Sequence, residues 1–386
     1  MNIIGYQRKN GTYGIRNHLL ILPTSVCASE TAVRISQRIP GSIALPHQHG
    51  CCHVGKDYQQ VLKTLIGFGK NPNVGAVLII ALGCEGIQPE EVKEEIAKTL
   101  KPVEQIIIQK SGGTVKAIEK GIQIAQRLMH ILSQQQKTPF DLSQIILGLE
   151  CGGSDPTSGM AANPAIGVAS DLLIKQGGIS VLSETTELIG AEHIIAKRAV
   201  NENITQKLLA MVQRTEQRAV EMGVDLRGSQ PTPGNIKGGL TTIEEKSLGC
   251  IYKAGSAPIV DVLEYAQDIP HKTGLYFMDT PGQDIESITG MLAGGVQIIV
   301  FTTGRGTPTG SPIAPVIKIT GNSLTYQQMT DNIDINTGEV INGKQTIEQA
   351  GQDIFSEIIR VSNGQQTKAE ILGHKEFALF RIGYTF

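Results

Sequence analysis

The sequence lacks the charge excess and the long apolar runs that mark several protein classes. Its 34 basic and 36 acidic residues give a formal net charge of −2, so it has no basic surplus for binding a phosphate backbone. No apolar run reaches the roughly 20 residues that a membrane-spanning helix requires, and residues 1–9 lack the apolar stretch of a signal peptide. We therefore expect a cytoplasmic protein that binds neither nucleic acid nor a membrane.

Two further absences narrow the chemistry. The six cysteines include no close CxxC pair, which argues against a zinc ribbon, and a cytosolic location argues against structural disulfides. The sequence also has no GxxxxGK[ST] or GxGxxG fingerprint, so nucleotide binding lacks its usual signal.

Short runs of Ile, Val and Leu alternate with helical patterns, which is typical of mostly parallel sheets covered by helices on both faces. The predicted strands lie at 19–22, 74–82, 106–108, 145–147, 179–182 and 296–301, and the predicted helices at 56–67, 89–100, 115–132 and 346–361. The polar stretch at 133–139 predicts a domain boundary. We therefore expect an α/β fold with an N-terminal α/β domain at 1–136 and a C-terminal α/β catalytic domain at 137–386.

Polar or metal-binding residues follow five of these apolar runs and a further predicted strand that ends before residue 279, at the ends where parallel sheets bind ligands. These segments are 23–27, 83–85, 109–114, 150–155, 279–282 and 302–306. They predict a site at one edge of a sheet.

Three cysteines within or near these segments are candidate metal ligands. Cys51 follows His49 closely, Cys84 precedes Glu85, and Cys151 precedes two glycines. Three thiolates with an open fourth position suit a single Fe²⁺ or an iron–sulfur cluster. The alternative is that each cysteine is a small buried apolar residue.

Two cationic residues stand beside glycine-rich turns. Lys246 is a candidate base or a clamp for a carboxylate, and Arg305 is a candidate for a forked bond to a carboxylate. The alternatives are a capped helix start with solvated charges for Lys246 and a surface loop for Arg305.

These segments, taken in order, resemble the altronate/galactarate dehydratase family, which also includes the large subunit of sulfolactate sulfo-lyase. The resemblance covers nearly the whole chain. It rests on the segments 5–8, 14–17, 71–74, 82–85, 151–155, 158–159, 162–164, 184–187, 234–235, 238–242, 245–249 and 301–306.

The resemblance implies dehydration of a sugar acid to a 2-keto-3-deoxy acid, with Fe²⁺ or a similar divalent metal such as Mn²⁺ as cofactor. Its candidate catalytic residues are Lys246, Glu85 and His49, and its candidate metal ligands are Cys51, Cys84 and Cys151. The candidate substrate-binding residues are Arg16, Asn17, Ser154, Asp155, Thr241, Thr242, Thr303 and Arg305.

The same resemblance implies a partner, because single-chain members carry an additional small N-terminal domain. We expect a separately encoded small subunit, a homo-oligomer and a small-molecule sugar acid as substrate. Two alternatives remain: release of sulfite and pyruvate from (2R)-3-sulfolactate, and a non-catalytic subunit that binds sugar acids. The cysteines at 51 and 84 favour the dehydratase branch.

Overall fold

The computed structural model describes residues 2–386, and its strands and helices alternate along most of the chain. The strands are β1 (Asn2–Gln7), β2 (Tyr13–Gly14), β3 (His18–Pro23), β4 (Ser42–Ala44), β5 (Val74–Ala81), β6 (Val103–Ile107), β7 (Thr138–Asp141), β8 (Ile146–Cys151), β9 (Ile179–Leu182), β10 (Ile259–Leu263), β11 (Gly274–Met278), β12 (Ile298–Thr302), β13 (Val316–Thr320) and β14 (Ile335–Asn336).

The helices are α1 (Val26–Ser36), α2 (Gly55–Lys70), α3 (Pro89–Ala97), α4 (Thr114–Ser133), α5 (Asn163–Lys175), α6 (Glu192–Ala196), α7 (Glu202–Glu221), α8 (Leu226–Ser229), α9 (Pro233–Lys237), α10 (Ile243–Ile251), α11 (Asp284–Ala293), α12 (Ser323–Gln328), α13 (Gly338–Ile341), α14 (Ile347–Ser362) and α15 (Lys368–Leu372). Each predicted apolar run overlaps a strand and each predicted helical pattern overlaps a helix. The predicted α/β class with mostly parallel sheets is confirmed.

The first half of the chain contains a four-stranded parallel sheet with the strand order β4-β3-β5-β6. Every residue of β5 is buried, as expected for a strand covered on both faces. Side chains on one face, such as Leu19 and Leu78, pack against α1 and α4. Those on the other face, such as Leu20 and Val77, pack against Leu65 and other residues of α2.

A seven-stranded parallel sheet forms the second half, in the order β10-β11-β9-β8-β12-β13-β14. Leu147 and Leu149 of β8 pack in one apolar cluster with Ile166 of α5 and Ile354 of α14. On the opposite face α11 covers the sheet. The strand after β8 in the chain, β9, lies on one side of β8, while β12 lies on the other side. The order in which strands are added to the sheet thus reverses between β8 and β12, and open α/β sheets form a crevice at such a point.

The two sheets share one apolar layer, because α2 and α11 pack against each other between them. A single buried cluster includes Phe68 of α2, Met291 of α11 and Phe301 of β12. A Cβ atom on Gly67 would overlap the backbone of Ala293, so glycine permits this close helix contact.

Two buried asparagines also join the halves. The side-chain amide of Asn71 donates to the carbonyls of Leu292 and Val296, at 2.9 and 2.8 Å. Asn73 is fully buried and donates to the carbonyls of Gln297 and Ile313. These bonds satisfy backbone groups at the boundary that would otherwise be buried without partners.

A small antiparallel sheet, β2-β1-β7, pairs the start of the chain with Thr138–Asp141. This strand lies just beyond the predicted domain boundary, and the division at residue 136 stays a prediction. Within residues 2–386, no helix has the length and apolar character needed to cross a membrane.

Candidate active site

A cavity of about 450 Å³ lies beyond the carboxyl ends of β8 and β12. Its charged and hydroxyl-bearing lining residues include Ser154, Glu187, Lys246, Asp284 and Arg305. A larger cleft of about 660 Å³ lies beside α2, and some of its charged residues pair with one another, as Arg214 does with Glu264. It contains none of the predicted site residues, so the smaller cavity is the candidate active site.

An ion pair between Glu187 and Lys246 forms part of the cavity wall. Lys246 Nζ lies 2.8 Å from Glu187 Oε1, and the two side chains are only 14% and 7% exposed. Burial raises the pKa of Glu187. Burial alone would lower the pKa of Lys246, but the adjacent Glu187 carboxylate outweighs it and the pKa is raised. Lys246 is therefore a charged acid at neutral pH, which disfavours its predicted role as a free base.

Glu187 keeps one oxygen available. Its Oε2 atom is buried and has no hydrogen-bond partner among residues 2–386. A buried carboxylate oxygen without a donor is costly, and such atoms concentrate where a protein binds a ligand or moves a proton.

Behind this pair lies a second, fully buried pair between Glu184 and Lys253. Lys253 Nζ lies 2.5 Å from Glu184 Oε2, and the two side chains are at most 1% exposed. The same oxygen accepts the backbone N–H of Cys151 at 3.1 Å. Glu184 has a positive φ of 68°, which costs free energy for a residue with a Cβ atom. Its N–H donates to Thr280 Oγ1 at 2.7 Å, which helps to hold this conformation.

Two more acidic residues complete the cluster. Glu150 of β8 accepts hydrogen bonds at Oε2 from Ser287 (2.7 Å) and Ser183 (3.2 Å), while its buried Oε1 has no partner among residues 2–386. Burial and the Glu184 charge raise the pKa of Glu150. Burial, followed by the charges of Glu184 and Glu187, raises the pKa of Asp284 to about 7.

The packing around residue 152 explains why a glycine follows Cys151. A Cβ atom at this position would overlap the carboxylate of Asp284. Only glycine lets the β8 loop and the start of α11 meet at the cavity.

The structure does not bring together the three cysteines that were predicted to bind a metal. Among residues 2–386, two groups place three potential ligand atoms within 4.8 Å of one another: Cys151 with Glu184 and Cys250, and Glu150 with Glu184 and Asp284. Cys51 and Cys84 belong to neither group. Cys151 is buried, and its Sγ atom lies 3.7 Å from that of Cys250.

Cys51 and Cys84 lie instead in adjacent loops at the edge of the four-stranded sheet. The N–H of Ile87 donates to the carbonyl of Gly50 and joins these loops. Both cysteines are exposed, so neither is the small buried residue of the alternative interpretation.

The prediction that the six polar segments meet at one edge of one sheet is wrong. The first three segments follow strands of the four-stranded sheet, and the last three follow strands of the seven-stranded sheet.

Glu85 and His49 accompany these exposed loops and do not line the cavity. Glu85 accepts hydrogen bonds from Thr24 Oγ1 and from the N–H groups of Leu82 and Gly83, at 2.5 to 2.8 Å. Burial raises the pKa of Glu85, but these hydrogen bonds together outweigh it and lower the pKa. Glu85 thus stabilises its own loop and is a weak base. Burial, followed by the Arg381 charge, lowers the pKa of His49 to about 4.

The predicted substrate-binding residues divide into those that line the cavity and those that do not. Ser154 and Arg305 line it, and Arg305 Nη1 donates to the carbonyl of Gly234 at 2.6 Å, which directs its guanidinium along the rim. Asp155 instead accepts hydrogen bonds from Thr157, Ser158 and Asn322.

The other predicted substrate-binding residues have structural contacts. Thr303 accepts the N–H of Gly306. Thr242 caps α10, and Thr241 donates to Glu245, as the alternative of a capped helix start predicts. Arg16 forms an ion pair with Glu370 at 2.7 Å, and Asn17 donates to the carbonyl of Leu132 at 3.3 Å. Arg16 and Asn17 therefore connect distant parts of the chain and do not line the cavity.

Five of the cluster residues carried no predicted role: Glu150, Glu184, Glu187, Lys253 and Asp284. Glu150 lies in the polar segment 150–155 that was predicted to contribute to a site. Glu184 and Glu187 follow the correctly predicted strand β9, and the rule that ligands bind beyond strand ends would have selected them. Lys253 carries no such signal, because its burial depends on how the segment after α10 packs.

Two family models together match nearly the whole chain. The model for the D-galactarate dehydratase/altronate hydrolase second domain matches residues 5–133. The model for the D-galactarate/altronate dehydratase C-terminal domain matches residues 142–385.

Three curated proteins are similar over almost the full chain. The (2R)-sulfolactate sulfo-lyase subunit beta of Chromohalobacter salexigens is 39% identical, covering 98% of this chain and 97% of its own length. The altronate dehydratase of Bacillus subtilis is 35% identical, covering 99% of this chain and 78% of its own length. The altronate dehydratase of Escherichia coli is 36% identical, covering 98% and 78%.

Proposed function

The chain belongs to the D-galactarate/altronate dehydratase family, and from this premise we propose that it removes water from a sugar acid to give a 2-keto-3-deoxy acid. The observation that carries the proposal is the Glu187–Lys246 ion pair on the cavity wall. It supplies a carboxylate with an unpartnered oxygen and an ammonium group side by side, which suits a reaction that takes up one proton and delivers another.

The two members of the pair have opposite roles. Glu187 accepts the proton α to the substrate carboxylate, because burial raises its pKa and makes it a stronger base. Lys246 donates a proton to the departing β-hydroxyl, which leaves as water. Since the two groups are 2.8 Å apart, the proton on Glu187 then returns to Lys246 and restores the starting state. The enol product becomes the keto acid.

Arg305 and Ser154 hold the substrate in this proposal. The guanidinium is a forked donor for the substrate carboxylate, and the hydroxyl of Ser154 bonds to a substrate hydroxyl. The cavity is lined by the polar side chains of Ser154, Thr232 and Asn235 and by few cations, which suits a polyhydroxylated acid with one carboxylate near the pair.

A divalent ion such as Fe²⁺ or Mn²⁺ remains part of the proposal, on the strength of the family resemblance. The donors beside the cavity, carboxylate oxygens and two thiols, fit such an ion. When bound, it would act as a Lewis acid toward the developing enolate.

The second candidate is elimination of sulfite from (2R)-3-sulfolactate. The relative named for this activity matches this chain along 97% of its length, whereas the two altronate dehydratases match along 78%. Sulfolactate and galactarate each carry two anionic groups, whereas altronate carries one. The acidic side chains Glu187 and Asp284 of the cavity therefore favour altronate over both.

The test offers altronate, galactarate and (2R)-3-sulfolactate separately to the purified chain together with the proposed small subunit, with Fe²⁺ or Mn²⁺ supplied. We expect a 2-keto-3-deoxy acid from a sugar acid and no sulfite from sulfolactate. Sulfite release, with no keto acid from either sugar acid, would replace the first candidate by the second. Binding of sugar acids without any turnover would favour a non-catalytic subunit.

Assembly is a further part of the proposal. One relative is named as a subunit beta, which supports a separately encoded small subunit that binds this chain. We also propose a homo-oligomer. Light scattering after size-exclusion chromatography, with and without the co-expressed small subunit, measures both.

A further inference from the structure

The floor of the cavity holds more acidic than basic groups. Its interacting ionisable side chains are those of Glu150, Glu184, Glu187, Asp284, Lys246 and Lys253. Four carboxyl groups thus face two ammonium groups. Buried carboxylates in excess of their counter-ions are unfavourable unless a proton or a further cation neutralises them.

Three of these carboxyl groups already converge. One oxygen each from Glu150, Glu184 and Asp284 lies within 4.8 Å of the other two. Divalent cations bind carboxylate oxygens at about 2.0 to 2.6 Å, so oxygens on opposite sides of one ion are separated by up to twice that distance. Small side-chain rotations therefore bring all three into contact with a single ion.

An independent observation at Glu150 points to a ligand. Glu150 is fully buried, and Ser183 and Ser287 both bind its Oε2 atom. Its Oε1 atom has no partner among residues 2–386. The serines thereby fix the carboxylate and leave Oε1 as the oxygen that is free to bind an ion.

The neighbouring group of Cys151, Glu184 and Cys250 is a poorer cation site. Lys253 interacts electrostatically with both thiols, and its ammonium lies 2.5 Å from Glu184 Oε2. A cation of the protein itself therefore occupies this side of Glu184. The hydrogen bonds that the Glu184 carboxylate accepts from Cys151 and Lys253 both use Oε2, which leaves Oε1 for the carboxylate group.

We propose that Glu150, Glu184 and Asp284 bind one divalent cation that prefers oxygen ligands, such as Mn²⁺, Mg²⁺ or Fe²⁺. The ion balances the two excess carboxylates. Asp284 lines the cavity, so the ion reaches the cavity on that side and binds substrate oxygens or water at its open positions. The geometry and charge of these three carboxyl groups favour such an ion whichever reaction the chain catalyses.

The test measures binding in the absence of substrate. The full chain is treated with chelator, desalted and titrated with Mn²⁺, and free Mn²⁺ is followed by electron paramagnetic resonance. We expect one Mn²⁺ per chain and a loss of affinity of at least ~tenfold in Glu150→Gln. Glutamine preserves the volume and an acceptor for the two serines while removing the charge.

Cys250→Ser is the matched control, because it changes the competing thiol group only. We expect it to bind Mn²⁺ like the wild type. Asp284→Asn, at the half-buried end of the site, is the second ligand variant if circular dichroism shows Glu150→Gln to be misfolded. The proposal is overturned if the wild type binds no Mn²⁺ or if the ligand variants bind it unchanged. It is also overturned if Cys250→Ser alone loses binding. Keto-acid turnover is not part of the readout, so this proposal and the proposed reaction fail separately.

Discussion

The buried Lys253–Glu184 pair allows a quantitative test of the electrostatics beneath the cavity. Lys253→Met removes an ammonium 2.5 Å from Glu184 Oε2, at a site where both side chains are at most 1% exposed. Removing one partner of a buried ion pair costs about 3–5 kcal/mol, because the other charge stays buried without compensation. Unfolding entropy of roughly 2.1 cal/mol/K per residue gives about 0.8 kcal/mol/K for 386 residues. We therefore expect Tm to fall by about 5 °C.

Differential scanning calorimetry in chelator measures this change. A double variant, Lys253→Met with Glu184→Gln, leaves no lone charge and should recover most of the lost Tm. The control is Lys344→Met, whose ion pair with Glu339 is 3.6 Å long and has side chains 71% and 46% exposed; an exposed pair contributes at most ~1 kcal/mol. Lys253→Met melting like the wild type, or a double variant less stable than the single one, would refute the reasoning.

Three further predictions concern catalysis, the boundary between the halves, and pH. Glu187→Gln and Lys246→Met should each lower kcat by about 100-fold or more. The double variant should lose little beyond either, since the pair acts as a unit; multiplied losses in the keto-acid assay would contradict this. Asn73→Ala should lower the free energy of unfolding in urea by about 3 kcal/mol, because buried backbone groups lose their partners, while exposed Asn342→Ala should not. Burial lowers the pKa of His18 from 6.5 to about 4, so the unfolded chain binds a proton that the folded chain rejects. The free energy of unfolding should therefore decrease as the pH falls from 6.5 to 4, and His18→Gln should make it depend less on pH in this range.

The strands buried on both faces were predictable because they leave an uninterrupted apolar signal. The run at 74–82 became β5, whose every residue is buried. β10 was missed because Asp261 interrupts its apolar run. The division of the strands between two sheets was not predictable, since periodicity reports burial and not which strands are neighbours.

The candidate site was predictable to the extent that it follows strand ends. Ser154 and Arg305 follow β8 and β12 and line the cavity. Cys51 and Cys84 also follow strands, but those strands belong to the other sheet. Glu184 and Glu187 follow β9 and were predictable in the same way. The burial of the acidic residues behind the cavity was not predictable, because it arises only when α10, α11 and the β9 loop pack together.

The helix layer between the two sheets constrains how this chain can be recombined with its relatives. Helix α2 belongs to the first half of the chain and α11 to the second, yet Gly67 of α2 touches Ala293 of α11. A chimera that takes residues 1–136 from this chain and the remainder from an altronate dehydratase would join two surfaces shaped for other partners. Swaps that exchange α2 and α11 together, with the asparagines at 71 and 73, should express as folded protein, while swaps that separate them should aggregate through exposed apolar surface.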